Sequence, residues 1–180
     1  MATTASTSSS AGELPVRQPS SEEKQLIDDI LLLYQLKPSE QAYAHYASTA
    51  VFHDPVSIAE GLDSIKSQFN GMPKVFAEST TQKCDLLAES DKGKTALNLT
   101  QRYVFKSPLP GKSHGSEKTV NSKVTLTLNA EGKIVKHDEE WDHQGNKDAD
   151  DGFLGKLMEG RKKVNAKLVQ KAVPSDPSKI

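Results

Sequence analysis

The segment YASTAVFHDP, residues 46–55, marks the point where the sequence changes from helical to extended patterns. Its apolar centre, residues 50–52, is too short for a helix. Asp54 and Pro55 end it, because the residue before a proline is pushed towards extended geometry. We therefore predict a short strand here.

Helical patterns lie on both sides of this strand. A capping pattern at residues 20–23 precedes apolar side chains at helical spacing, which predicts a first helix that ends near Pro38. Ser39 begins a second, short helix that continues to about Ala47. After the strand, the sequence GLDSI at residues 61–65 begins a third helix.

The second half of the chain alternates with a period of two residues, which is typical of strands. Strands are predicted at residues 80–89, 95–106, 119–128 and about 133–143, with a polar loop at 107–117. Helices followed by a run of antiparallel strands predict an α+β fold.

Both ends differ in composition from this central region. Residues 1–20 are rich in Ser and Thr and lack the apolar core of a secretory signal, so a disordered tail is predicted. Residues 148–173 predict a basic amphipathic helix, whose lysines are either solvated or contact an anionic partner or a membrane surface. A second disordered tail is predicted at residues 174–180, and a single domain is predicted at residues 21–147.

The composition limits the partners and the location. With 23 basic and 24 acidic residues in 180, the net charge is -1, and no nucleic-acid partner is expected. Cys84 is the only cysteine, which excludes an internal disulfide and fits a reducing compartment. No apolar run approaches the roughly 18 residues of a membrane span. The expected location is the cytoplasm, with the nucleus as the alternative.

Three stretches together resemble the NTF2-like superfamily, and within it the SnoaL-like group: residues 46–55, 61–65 and 132–142. The resemblance covers about residues 22–145. It implies a cystatin-like cone, in which a curved antiparallel sheet wraps around the N-terminal helices and opens at one end to an apolar cavity. The C-terminal helix lies outside this core. The family includes isomerases, dehydratases, cyclases and epoxide hydrolases as well as proteins without catalysis, so the fold alone fixes no reaction.

The resemblance implies that the first short strand and the last long strand both contribute side chains to the cavity. Alternation along the last strand predicts a pocket face and a solvent face. The pocket face holds Val135, His137, Glu139, Trp141 and His143. The solvent face holds Ile134, Lys136, Asp138, Glu140 and Asp142. A β-bulge would reverse this assignment.

The candidate catalytic residues are Asp54, His137 and Glu139. Burial in an apolar cavity would raise the pKa of either carboxyl group and make it a general acid or base near neutral pH, while a facing histidine shuttles the proton. The predicted chemistry is proton abstraction next to a carbonyl, or a dehydration, without a cofactor. The structural alternatives are that Asp54 caps a turn and that His137 and Glu139 pair with each other or with Lys136.

The candidate ligand-binding residues are His53, Trp141, Tyr46 and Tyr103. Each has a structural alternative: a surface position at a strand end for His53, and core packing for the three aromatic residues. No metal is expected, because His137 and His143 would lie about 20 Å apart on a straight strand.

Two kinds of function remain open. The first is a cofactor-independent enzyme, or a ligand binder, acting on a small apolar molecule in the cone. The second is a non-catalytic module, a predicted homodimer through its sheet, that uses the pocket for folding or for gripping a partner. Convergence of Asp54, His137 and Glu139 on one cavity is expected only of the first.

Overall fold

The computed structural model describes residues 14–88, 91, 93–107, 109–112 and 114–141. Its helices are α1 (Ser21–Tyr34), α2 (Glu40–Tyr43) and α3 (Leu62–Val75). Its strands are β1 (Tyr46–Asp54), β2 (Ser57–Glu60), β3 (Phe76–Leu86), β4 (Lys94–Lys106), β5 (His114–Leu128) and β6 (Ile134–Trp141). The predicted α+β class is confirmed. The predicted helix at 148–173, the tail at 174–180, Asp142 and His143 lie outside the described residues.

The six strands form one sheet in the order β2-β1-β6-β5-β4-β3. Strands β3 to β6 pair antiparallel in sequence order, whereas β1 pairs parallel with β6 and antiparallel with β2. The parallel pairing needs a long connection between the two strands, and α3 with β3 to β5 provides it. As a result the two strands expected to supply the pocket are neighbours, with Phe52 opposite His137.

The helix α1 is fixed at both ends. Ser20 and Glu23 form the predicted capping box at its start. At its end the amide of Lys37 donates to the carbonyl of Leu32 at 2.9 Å, in a Schellman arrangement that places Leu36 at a φ of 62°. Tyr34 is therefore held as the last helical residue, facing the sheet.

A small polar network ties this helix end to the sheet. The carbonyl oxygen of Tyr34 accepts hydrogen bonds from Ser79 Oγ at 2.7 Å and from Gln101 Nε2 at 3.3 Å. Gln101 is 1% exposed, and its side-chain oxygen accepts a hydrogen bond from Thr81. Because a helix leaves its last carbonyls without intrahelical partners, this network stabilises the position of Tyr34.

Several boundaries differ from the predictions. The second helix ends at Tyr43 instead of Ala47, because Tyr46 already pairs with Ile134 of β6. Strand β5 begins at His114, inside the predicted loop, since its first residues extend the ladder with β4. The short strand β2 was not predicted; it follows directly on the turn at Pro55 and pairs back onto β1.

One face assignment on the last strand is wrong. Ile134 was predicted on the solvent face, but it is 0% exposed and packs in the core. The pairing of β5 with β6 shifts register here, with Thr127 opposite Lys136 and Leu128 opposite Ile134. This irregularity takes up one extra residue and turns Ile134 inward, while the alternation beyond it is preserved.

The N-terminal segment described by the structure lies along β3. The amide of Arg17 donates to the carbonyl of Leu86 at 2.9 Å, and the amide of Ala88 donates to the carbonyl of Pro15 at 2.7 Å. Arg17 also forms an ion pair with Glu23 at the start of α1. Residues 14–20, which belong to the predicted tail, thus contact the domain, and residues 1–13 lie outside the described residues.

Candidate functional site

A pocket lies between α1, α3 and the inner face of the sheet. Its empty volume, measured out to its mouth, is about 450 Å³. The centre of a water molecule fits within only about 30 Å³ of that volume, so most of the pocket is narrow. The lining side chains are mainly apolar and aromatic: Tyr34, Phe52, Asp54, Gln68, Phe69, Met72, Phe76, Tyr103, Val120, Glu139 and Trp141. The wide part has room for about two waters, so a larger ligand must displace side chains.

The pocket brings together part of the predicted site. Asp54, Glu139, Tyr103 and Trp141 all line it. The two carboxyl groups come from neighbouring strands, β1 and β6, as the resemblance implied. Three further candidates, His137, Tyr46 and His53, are not among its lining residues. The convergence of all three candidate catalytic residues, which was expected of an enzyme, is therefore not found: Asp54 and Glu139 share the pocket, and His137 does not line it.

Glu139 has the chemical properties expected of an acid–base group. Burial raises the pKa of its carboxyl group to about 7, and the negative charge of Asp54 contributes in the same direction. Hydrogen bonding by Ser122 and Tyr34 opposes this shift in pKa, since it stabilises the ionised form. Both protonation states of Glu139 are therefore populated near neutral pH, as general acid–base catalysis requires.

Asp54 combines a structural role with its place in the pocket. Its Oδ1 accepts hydrogen bonds from the amide of Val56 at 2.9 Å and from the hydroxyl of Ser57 at 3.0 Å. These bonds close the turn after β1, so the structural alternative for Asp54 is present. The same carboxylate acts electrostatically on Glu139 across the pocket.

His137 is a buried core residue behind the pocket. It is 0% exposed, and its Nε2 and Nδ1 lie 3.0 Å and 2.8 Å from the hydroxyl oxygens of Tyr34 and Tyr46. Burial lowers the pKa of its imidazole to about 3, so the ring is neutral at physiological pH. The pairing of β1 with β6 packs it against Phe52 at a centroid distance of 4.9 Å, and Phe69 of α3 covers it. His137 therefore reaches Glu139 only through Tyr34.

Tyr34 is a residue of this site that the sequence did not lead us to expect. Its hydroxyl donates to Glu139 Oε2 at 3.2 Å and lies against His137 Nε2. In the sequence it is one more apolar residue on the buried stripe of the first helix. The available signal is that a tyrosine at such a position must find a hydrogen-bond partner for its hydroxyl.

The other two candidates outside the pocket have different surroundings. Tyr46 is 4% exposed, and its hydroxyl contacts His137 as described above. Tyr46 is therefore separated from the pocket by other side chains. His53 has a side chain that is 52% exposed, and its Nδ1 lies 3.7 Å from Asp138 Oδ1 on the outer face of the sheet. This is the surface position given as the structural alternative for His53.

Within the described ranges, no helix is long and apolar enough to cross a membrane. The same residues contain no group of three His, Cys, Asp or Glu side chains arranged to hold a metal ion. The predictions of a homodimer and of a cytoplasmic location stay predictions.

Comparisons with known proteins agree with the architecture. No protein-family model matches the chain, and no curated protein matches its sequence. Among solved structures, a candidate polyketide cyclase from Xanthomonas campestris is similar with a TM-score of 0.56 at 10% identity, over 76% of this chain and 99% of that one. An NTF2-like protein of unknown function from Exiguobacterium is similar with a TM-score of 0.53 at 15% identity, over 66% of this chain and 99% of that one.

A third similar structure is TsrD from Streptomyces laurentii, with a TM-score of 0.53 at 13% identity, over 70% of this chain and 92% of that one. Identities this low establish architecture and not activity. The described chain, with its curved six-stranded sheet and its helices on one face, has the NTF2-like fold that the sequence resemblance implied.

Proposed function

We propose that the pocket binds a small, mostly apolar molecule and that Glu139 performs acid–base chemistry on it without a cofactor. One observation carries this proposal: a carboxyl group that titrates near neutrality lies in an aromatic pocket, next to a second carboxylate. Perturbed carboxyl groups in apolar clefts are favoured positions for proton transfer.

The reaction that fits these groups is proton abstraction next to a carbonyl, or a dehydration. The ionised Glu139 takes a proton from carbon, and in a dehydration its protonated form returns a proton to the leaving oxygen. Asp54 raises the proton affinity of Glu139 by its charge, while Tyr103 and Trp141 provide flat apolar walls for the substrate. The polyketide cyclase description of one similar structure supports a small-molecule substrate of this kind.

The test uses solvent-exchange chemistry on small, uncharged, cyclic carbonyl compounds. Thermal-shift measurements first select the compounds that bind, because a ligand of the folded state raises the melting temperature. Loss of the hydrogen atoms next to the carbonyl is then followed by NMR in D₂O. We expect exchange with the wild type and a loss of roughly 10² or more with E139Q, which is typical of a missing general base.

The matched control is E140Q. Glu140 is the next residue along β6 and lies exposed on the opposite face, so this variant should keep both binding and exchange. Binding without exchange in the wild type would favour the non-catalytic alternative. The narrow pocket is the observation that supports this alternative, since only about 30 Å³ is wide enough for a water centre. The absence of binding by any such compound would reject both small-molecule functions.

A further inference from the structure

Four polar side chains from three elements form one continuous chain of hydrogen bonds, which runs from the core behind the pocket to the pocket lining. Tyr46 Oη lies 2.8 Å from His137 Nδ1, and His137 Nε2 lies 3.0 Å from Tyr34 Oη. The chain ends where Tyr34 Oη meets Glu139 Oε2 at 3.2 Å. Tyr34, Tyr46 and His137 are almost fully buried, so water does not compete for their polar atoms.

The direction of this chain follows from the number of protons available. An ionised carboxylate only accepts hydrogen bonds, so the single hydroxyl proton of Tyr34 points at Glu139. The oxygen of Tyr34 then accepts from His137, which must carry its proton on Nε2. A neutral imidazole has one N–H, which leaves Nδ1 as an acceptor for the hydroxyl of Tyr46.

Protonation of Glu139 does not reverse this order. A reversed chain would turn the O–H of Tyr46 away from Nδ1, and Nδ1 is its one hydrogen-bond partner among the described residues. Leaving a buried hydroxyl unsatisfied costs free energy, whereas a protonated Glu139 still offers a carbonyl oxygen to Tyr34.

We propose that Tyr46 and His137 are positioning residues that regulate the pocket. Together they fix the direction of the chain and so hold the hydroxyl proton of Tyr34 on Glu139. This inference rests on the acid–base role proposed for Glu139, and it assigns control of that residue to two side chains that do not line the pocket.

The ionisable groups around this chain come from α1, α2, β1, β4 and β6, and the residues of β5 opposite His137 and Glu139 are Leu126 and Val124. They are Tyr34 on α1, Tyr43 on α2, Tyr46 and Asp54 on β1, Tyr103 on β4, and Asp138 and Glu139 on β6. The residue that α3 contributes over the imidazole is Phe69, which does not titrate. Asp54 and Glu139 are therefore the carboxyl groups on the pocket side, and Asp138 acts on His137 from the other side.

The first measurement needs no variant. In the full-length, ¹⁵N-labelled protein, long-range ¹H–¹⁵N spectra report which imidazole nitrogen carries the proton. We expect His137 to hold one proton, on Nε2, throughout pH 5–9, while the ¹³C-carboxyl signal of Glu139 titrates within this range. The signal is assigned by its disappearance in E139Q.

The second measurement removes one hydroxyl at the far end of the chain. In Y46F the proton of His137 stays on Nε2, where Tyr34 accepts it, but Nδ1 loses its donor. The N–H on Nε2, and in turn the hydroxyl of Tyr34, are then polarised less and stabilise the ionised form of Glu139 less. We expect the Glu139 midpoint to rise by roughly 0.1 to 0.5 pH unit, the equivalent of about 10–30% of one charge-assisted hydrogen bond. The matched control is Y43F, which removes a hydroxyl bonded to Asn70 outside the chain and should leave the midpoint unchanged.

The wild-type spectrum tests the proposed direction of the hydrogen bonds even if Y46F does not fold. A proton on Nδ1, or a doubly protonated ring between pH 5 and 9, would overturn the proposal. A Y46F midpoint equal to those of the wild type and Y43F would do the same. These results do not depend on any ligand, so a failure of the exchange assay leaves them interpretable, and the reverse also holds.

Discussion

The hydroxyl of Tyr34 lies between two groups with opposite perturbations, 3.2 Å from Glu139 Oε2 and 3.0 Å from His137 Nε2. Burial raises the pKa of Glu139 to about 7 and lowers the pKa of His137 to about 3. Both groups are thus driven towards their neutral forms by the same apolar surroundings. Tyr34 joins them because it can donate to one and accept from the other.

These two opposite pKa shifts predict that Glu139 and His137 together leave the free energy of unfolding nearly independent of pH between pH 4.5 and 6.5. Between pH 4.5 and 6.5 the folded state holds a proton on Glu139 that the unfolded chain releases. The contribution of Glu139 to the free energy of unfolding therefore falls as the pH rises. Over the same interval His137 is protonated in the unfolded chain and neutral in the folded state. Its contribution to the free energy of unfolding therefore rises with pH. The two slopes, each about 1.4 kcal/mol per pH unit, cancel.

The variant E139Q should remove that compensation. As the pH is lowered from 6.5, its free energy of unfolding should decrease by about 1.4 kcal/mol per pH unit, which is the contribution of His137 alone. Above pH 7 its free energy of unfolding should exceed that of the wild type by about 1–3 kcal/mol. Urea unfolding at half-unit pH steps measures both effects. Parallel curves for E139Q and the wild type would show that Glu139 is not perturbed, and E140Q serves as the control.

The variant Y34F tests the central hydroxyl. It removes the donor to Glu139 and leaves the N–H of His137 without an acceptor, so we expect a loss of about 1–3 kcal/mol in the free energy of unfolding and a higher pKa for Glu139. Chemical denaturation and carboxyl NMR measure these changes. A Y34F protein as stable as the wild type, with an unchanged Glu139 midpoint, would contradict the hydrogen-bond assignment.

The variant D54N tests the second carboxylate. The amide keeps an oxygen for the turn hydrogen bonds from Val56 and Ser57 but removes the charge that faces Glu139. We expect the Glu139 midpoint to fall below 7, because Asp54 is one of the causes of its raised pKa. A carboxyl titration by NMR measures this shift, and an unchanged or higher midpoint would show that the two carboxyl groups do not interact.

The variant Q101A tests the network that holds the end of α1. It removes a buried donor to the Tyr34 carbonyl and should lower the free energy of unfolding by about 1–3 kcal/mol. The matched control is T100A, whose hydroxyl bonds to Asn121 on the exposed face and should matter by less than about 0.5 kcal/mol. Equal effects of both variants in urea unfolding would remove the special role of Gln101.

The α+β architecture and the helix starts were predictable because they depend on local patterns. The capping box at Ser20 and the strict alternation of β5 each express an interaction between residues close in sequence. Ile134 was assigned to the wrong face because one register shift between two strands, which no local pattern encodes, turned it inward.

The candidate site also has one part that was predictable from sequence and one part that was not. The sequence by itself determined that Asp54 ends an apolar strand and that Glu139 shares a strand face with Trp141. The family resemblance implied that the two strands share a cavity, and the structure places both carboxyl groups in one pocket. Only the tertiary structure decided that His137 is buried behind that pocket and that Tyr34, far away in sequence, carries its hydrogen bond to Glu139. The physical reason is that perturbed pKa values and hydrogen-bond chains arise from the dielectric surroundings and partners of a folded core, which sequence spacing does not specify.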